Sequence, residues 1–248
     1  MRQNPYDIET FSTEYDTMRR ENKGTSANDA IEIPIMRQMM PDVKGKSILD
    51  LGCGYGENAK YWKELGATSV LGIDISKHMI EKAKKENQIN GVEYQVLAME
   101  EIDTLQQKFD IITSSLAIHY VENFEKLLKD VHTLLKENGV FLFSQEHPIT
   151  SCLKFENGLE DNKIIIKGKK YALVADYNRI GLRNNPWNGI KIEKYFRNFQ
   201  TIINTLIKSG FTIEEMNECE PTEEMIQKNS KYINQYDYPY FLFVKVHK

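Results

Sequence analysis

Ile48-Leu49-Asp50-Leu51-Gly52-Cys53-Gly54-Tyr55-Gly56 is the stretch on which the fold turns. The short apolar run Ser47 to Leu51 passes directly into glycines at alternate positions. Residues 57–65 then carry Tyr61, Trp62 and Leu65 at helical spacing and stop at Gly66. Strand, glycine turn and helix in that order open an α/β unit. Glycines at such a turn let a ligand approach the backbone, and the helix that follows presents its free N–H groups to it.

The same alternation continues downstream. Residues 69–73 read as a second strand ending at Asp74, with Ser76 placed to cap a helix whose apolar side holds Met79, Ile80 and Ala83. Residues 92–97 and 109–114 give two more strands. Phe124, Leu127, Leu128, Val131, Leu134 and Leu135 mark a strongly amphipathic helix, which Asn138-Gly139 is expected to stop before a buried strand at 140–144. The pattern breaks after Glu146-His147-Pro148 and resumes at Phe199 with a helix and two late strands, 211–216 and 240–246. These boundaries describe a single domain: a cap segment (1–45), a core (46–146), an insertion or lid (147–195) and a closing helix and β-hairpin (196–248).

In this chain of 248 residues, 41% hydrophobic and 27% charged residues are the balance of a folding, soluble protein. With 32 Lys and Arg against 36 Asp and Glu, the net charge of −4 offers no overall positive field for a nucleic-acid backbone. Cys53, Cys152 and Cys219 lie far apart without zinc-site spacing, so neither a metal site nor a disulfide framework is expected, and a cytoplasmic location follows. The opening MRQNPYDIET lacks the apolar core of a secretory leader, and no run approaches the roughly 18 apolar residues of a membrane span.

What the glycine turn binds is narrowed by its neighbours. A dinucleotide fingerprint read from Gly52 and Gly54 needs a third glycine at position 57, where Glu57 would repel a pyrophosphate. A phosphate loop is excluded because no Lys-Ser or Lys-Thr follows. What stands is Asp50-x-Gly52-x-Gly54-x-Gly56, with Asp74 at the end of the next strand, where a carboxylate can accept both hydroxyls of a ribose. The ligand is then a nucleoside without a pyrophosphate at the loop and with a positive or zwitterionic group near Asp50. S-adenosylmethionine meets that description.

On ILDLGCGYG (48–56), GIDIS (72–76), AMEEI (98–102) and the run from Phe109 to Ser144, the chain resembles the class I S-adenosylmethionine-dependent methyltransferases, in particular their small-molecule group. The resemblance implies a Rossmann-like, seven-stranded, mostly parallel sheet with the last strand antiparallel and helices on both faces. It implies S-adenosylmethionine as methyl donor and S-adenosylhomocysteine as product. Carried over by position, Gly52, Gly54 and Gly56 form the loop, Asp50 supports the methionine amino group and Asp74 holds the ribose. Ile75, Met99 and Glu100 flank the adenine, with Ala98 where many relatives have Asp. Ser115 and Leu116 lie beside the methionine part, and Tyr15 and Arg19 of the N-terminal segment close over the cofactor.

Methyl transfer is an in-line displacement, and a base is needed only when the acceptor carries a proton. His119, after the fourth strand, and His147, after the fifth, are the catalytic candidates; Glu146 is a second base at the latter edge. Alternation sends Glu146 and His147 to opposite sides. A packed histidine fits the same sequence at 119. Tyr195 and Arg197 share one side of a strand and are candidates for the cleft. The Asn/Asp-Pro-Pro-aromatic sequence of nucleobase-amine methyltransferases is missing after the fourth strand, which reads Ser114-Ser115-Leu116-Ala117-Ile118-His119. A small-molecule acceptor is therefore expected, with neither DNA nor membrane as partner. The competing readings are a non-catalytic S-adenosylmethionine-binding protein and a nicotinamide-dependent oxidoreductase.

Overall fold

In the computed structural model, residues 4–152, 163–187 and 190–248 are described. Helices α1 (Glu9–Glu21) and α2 (Ile33–Met39) precede β1 (Ser47–Leu51) and α3 (Glu57–Glu64). They are followed by β2 (Ser69–Asp74), α4 (Lys77–Glu86), β3 (Val92–Val96), β4 (Phe109–Ser114), α5 (Phe124–Leu134) and β5 (Leu135–Glu146). Two hairpins, β6 (Lys163–Ile166) with β7 (Lys169–Ala172) and β8 (Gly181–Trp187) with β9 (Ile190–Phe196), form the insertion. The chain closes with α6 (Phe199–Lys208), β10 (Thr212–Asn217), α7 (Glu223–Lys228) and β11 (Phe241–His247).

Among the described residues seven strands form one sheet in the order β10-β11-β5-β4-β1-β2-β3. Only β11 runs against its neighbours β5 and β10. The sheet is thus mostly parallel, Rossmann-like and closed by an antiparallel strand, as the resemblance implies. Alternation along β1 divides its side chains between two cores: Leu49 and Leu51 join Leu128, Phe141 and Leu206 on one face, and Ile48 joins Trp62, Val70 and Ile80 on the other. Both faces are covered, which is why the central strands read as continuous apolar runs. From β1 the chain winds outward to β2 and β3, then returns to add β4 on the other side of β1. The resulting switch point leaves a crevice at the carboxyl ends of β1 and β4.

The stop expected at Asn138-Gly139 lies elsewhere. Leu135 is already extended (φ −72°, ψ 141°) and pairs with Phe109, so α5 ends at Leu134. The next pair is Ile111 with Val140, and the intervening residues bulge, with Asn138 left-handed at φ 59°. Pairing of the buried Leu135 with β4 overrides the glycine signal. The same corner is tied by Asp110, which accepts hydrogen bonds from Ser47 N (2.8 Å), Ser47 Oγ (2.7 Å) and Lys136 Nζ (2.8 Å).

The N-terminal segment is fastened at both ends. A π-helical turn, Asn28–Glu32, leads into α2, whose Ile35, Met36 and Met39 pack with Leu142 and Phe243 of the sheet. At the other end Asp7 sits over the start of α4, taking Ser76 Oγ at 2.5 Å and His78 N at 3.0 Å. Asp16 of α1 pairs with Lys82 of α4 at 2.8 Å. Ser76 itself caps α4 as expected, accepting from Met79 N at 3.1 Å. No described helix is long and apolar enough to cross a membrane.

Burial works against the Asp110 charge, but the hydrogen bonds from Lys136 and Ser47 outweigh it and hold the carboxyl down at about 2. A carboxyl lowered in the folded state contributes stability that is complete above the unfolded value and is lost as pH falls toward the folded one. Asp110→Asn should therefore lower stability at neutral pH and flatten the loss between about pH 4 and 2. Denaturant titrations of the two proteins across that range test this; parallel curves would show that Asp110 carries no such linkage.

Candidate functional site

A cavity of about 600 Å³ opens at the carboxyl ends of the central strands. Its floor is the glycine turn. Gly52 has φ 69°, and a Cβ there would stand 2.5 Å from the Ala117 Cβ, so only glycine lets the β1 and β4 loops approach. Gly54 has φ 53° with open space over its Cα, and its N–H donates to Asp74 Oδ2 at 3.0 Å. Gly56 caps α3 at φ 77°, where a Cβ would strike the Tyr94 ring; it shapes the turn without lining the cavity.

Two carboxylates hold this floor. Asp50 is buried, with Oδ1 accepting from Thr113 Oγ1 at 3.0 Å and Oδ2 buried without a hydrogen-bond partner. Burial, with the Asp74 charge adding to it, pushes its carboxyl up to about 6. Asp74 lines the cavity and accepts Ser76 N at 2.8 Å as well as Gly54 N. Its second lone pairs remain available to ligand hydroxyls. Ile75, Met79, Leu97 and Met99 form an apolar wall beyond it, with Glu100 at the rim. An orphaned buried acceptor, a second carboxylate at the cavity edge and an apolar slot fit a nucleoside with a cationic end.

The far end is built by elements distant in sequence. His119 and Tyr120 follow β4, Glu146 ends β5, and Ile192, Glu193, Lys194 and Tyr195 come from β9 of the insertion. His119 is buried, its Nδ1 has no hydrogen-bond partner, and burial lowers its pKa to about 4, so the ring is neutral at pH 7. Lys194 donates to Glu146, and each charge sustains the other against the cost of burial. Pro5, Tyr6 and Tyr15 lie over the cavity; Tyr6 meets Phe11 and Tyr15 edge to face at 5.2 Å and hydrogen-bonds to Tyr120.

Of the residues singled out in the sequence, Gly52, Gly54, Asp74, Ile75, Met99, Glu100, Ser115, Leu116, Tyr15 and His119 line the cavity together. Asp50 lies directly behind the loop. Arg19 does not reach the cavity and pairs instead with Glu57, the first residue of α3. His147 is turned out of it. Strand alternation carries Glu146 inward and His147 to the opposite face, where it is fully buried, with Nε2 on Glu218 at 2.8 Å and Nδ1 accepting from Ile149 N at 3.1 Å. Arg197 also departs from expectation: it donates to the carbonyls of Val121, Glu122 and Tyr195 and anchors the hairpin, leaving Tyr195 alone at the cavity. Tyr6 and Lys194 were not signalled by any motif, because each reaches the site only through packing of the N-terminal segment or the insertion; Tyr120 comes to it through the 3-10 turn Ile118–Tyr120 that follows β4.

Gly52→Ala should destabilise the protein by about 1–3 kcal/mol through the contact with Ala117. Adding Ala117→Gly should recover part of that loss, leaving the left-handed strain of about 1–2 kcal/mol. Chemical denaturation of the single and double variants separates the two; no recovery would mean that the Ala117 contact is not what excludes a side chain.

A methyltransferase-domain family model matches residues 49–143. An S-adenosylmethionine-dependent methyltransferase from Mesorhizobium loti has the same fold, with TM-score 0.78 and 33% identity over 90% of this chain and 98% of that one. An uncharacterized protein of Haemophilus influenzae is 38% identical over 98% of this chain and 96% of its own length. A malonyl-[acyl-carrier protein] O-methyltransferase of Hamiltonella defensa is 35% identical, but over only 43% of this chain and 40% of that protein; partial matches also include ribosomal protein L11 methyltransferases. With near full-length similarity to such an enzyme, and with the glycine turn inside the matched segment, the chain belongs to the class I S-adenosylmethionine-dependent methyltransferase family.

Proposed function

We propose that the protein transfers a methyl group from S-adenosylmethionine to a small-molecule acceptor held at the far end of the cavity. The observation that carries this reading is the buried, unpartnered Oδ2 of Asp50 behind a glycine turn whose rim holds Asp74. Asp50 supports the amino group of the methionine moiety, Asp74 takes the ribose hydroxyls, and Ile75, Met79, Leu97 and Met99 take the adenine, with Glu100 at its edge. Ser115 and Leu116 flank the methionine part. When bound, the cofactor supplies an electrophilic methyl group on a sulfonium.

The chain's own residues then align and shield the acceptor. Tyr6 and Tyr15 cover the cavity from the N-terminal side, and β9 walls its far end, which favours an acceptor small enough to be enclosed. His119 lines the cavity as a neutral ring and is the group we assign to take a proton from a hydroxyl or amine acceptor; the Lys194–Glu146 pair beside it offers both a donor and an acceptor for orientation. Lys194 and Tyr195 lie outside the matched 49–143 segment, so acceptor choice belongs to the insertion.

Calorimetry with S-adenosylmethionine, S-adenosylhomocysteine, NADH and NADPH tests the reading, with micromolar binding of the first pair alone expected. Asp74→Ala should weaken S-adenosylhomocysteine binding at least about tenfold, or 1.4 kcal/mol; unchanged affinity in a folded variant removes the ribose assignment. His119→Asn should retain S-adenosylhomocysteine affinity while abolishing turnover, followed as S-adenosylhomocysteine release across amine, phenol and thiol acceptors. Turnover equal to the parent protein would return His119 to packing.

A further inference from the structure

Glu32 is a charged side chain that no motif explains. It ends the π-helical turn of the N-terminal segment, is 2% exposed, and lies against Ser144 of β5 and Ser115 of the loop that leaves β4. Ser144 Oγ donates to Glu32 Oε1 at 2.6 Å and itself accepts the Leu116 N–H at 3.0 Å. Asn58 Nδ2 donates to Ser115 Oγ at 3.1 Å, and the Ser115 hydroxyl reaches Glu32. Each serine oxygen already receives an N–H, so both hydroxyl protons point to the carboxylate. One buried carboxylate therefore fixes two consecutive cavity-lining residues, Ser115 and Leu116, the second in a left-handed conformation at φ 49°.

We propose that Glu32 is a positioning residue of the cofactor site, which holds the Ser115–Leu116 turn through Ser144 and Ser115 and forms with Asp50 a paired buried negative charge matched to the methionine ammonium. This rests on the cofactor reading above. The charged groups acting on Glu32 are Asp50 of β1, which opposes its ionisation, and Arg19 of α1, which favours it. Asp50 in turn feels Asp74. No described cation lines the cavity at this end; Lys194 is at the other, paired with Glu146.

The pairing has a proton consequence. Burial is the main cause that raises Glu32 to about 7, and it likewise raises Asp50. A bound ammonium favours the ionised forms and draws both values down, so a ligand carrying it expels a proton where the free site is still partly protonated. Affinity for such a ligand should rise between about pH 5.5 and 7.5 and then level off. A ligand with the same nucleoside but no amino-acid end should not respond.

The test is calorimetry of S-adenosylhomocysteine and of 5′-methylthioadenosine, which lacks the ammonium, at about pH 6.5 in phosphate and in imidazole, with affinities followed to about pH 8. The parent protein should release protons with the first ligand only. Glu32→Gln should bind S-adenosylhomocysteine about tenfold more weakly at the upper pH, release fewer protons, and keep its 5′-methylthioadenosine affinity. A folded Glu32→Gln with parental affinity and proton release overturns the proposal, as does equal loss for both ligands, which marks a general structural role. Should that variant not fold, Ser144→Ala cuts the link to Leu116 and leaves the carboxylate; unchanged S-adenosylhomocysteine affinity then overturns it. Absence of S-adenosylhomocysteine binding by the parent protein at every pH overturns the cofactor reading and this proposal together, whereas pH-independent binding overturns this proposal alone.

Discussion

Burying carboxylates at the carboxyl end of a parallel sheet is costly unless their lone pairs are used, and the site is organised around that constraint. Asp74 answers it with two backbone N–H groups, one of them from the glycine turn, so the turn is held by the same carboxylate that faces the cavity. Asp50 answers it by half, through Thr113, and keeps one oxygen unpaired. Glu32 answers it with two serine hydroxyls that in turn fix the loop after β4. Glycine is required at the turn because the loops after β1 and β4 meet there within contact distance, and a side chain at position 52 would strike Ala117.

Around this floor, the parts that the sheet does not need make the walls. The N-terminal segment is held by charge at its start, where Asp7 covers the first turn of α4, and by apolar packing at its end, where α2 lies on β5 and β11. The insertion contributes β9, pinned by Arg197 to the carbonyls of Val121 and Glu122 and by Lys194 to Glu146. The two ends of the cavity thus draw on different material: the glycine-turn end on the core strands and their loops, the far end on residues at the ends of β4 and β5 together with β9 of the insertion.

Legibility in the sequence followed how local each signal was. The β1–glycine–α3 unit, Asp74 and Ser76 were readable because strand period, turn glycines and a helix cap are properties of a few adjacent residues. Asn138-Gly139 misled for the complementary reason: a local helix-stop signal lost to the long-range pairing of Leu135 with Phe109. His119 and His147 looked equivalent as residues just beyond parallel strands. Strand alternation and the partners Glu218 and Ile149 decide that one faces the cavity and the other does not.

The sequence by itself determined the α/β class, the positions of the first four strands along the chain and the glycine turn with Asp74 at the end of the next strand, and it pointed toward a nucleoside there and, through Glu57, away from a pyrophosphate. All of these are written in residues close together along the chain. Only the tertiary structure decided that Arg19 pairs with Glu57, that Arg197 supports backbone, that Tyr6, Tyr120 and Lys194 line the cavity, and that Glu32 is buried against Ser144. Those contacts join segments dozens of residues apart, and whether a buried charge finds its partner is fixed by packing, which no local pattern encodes.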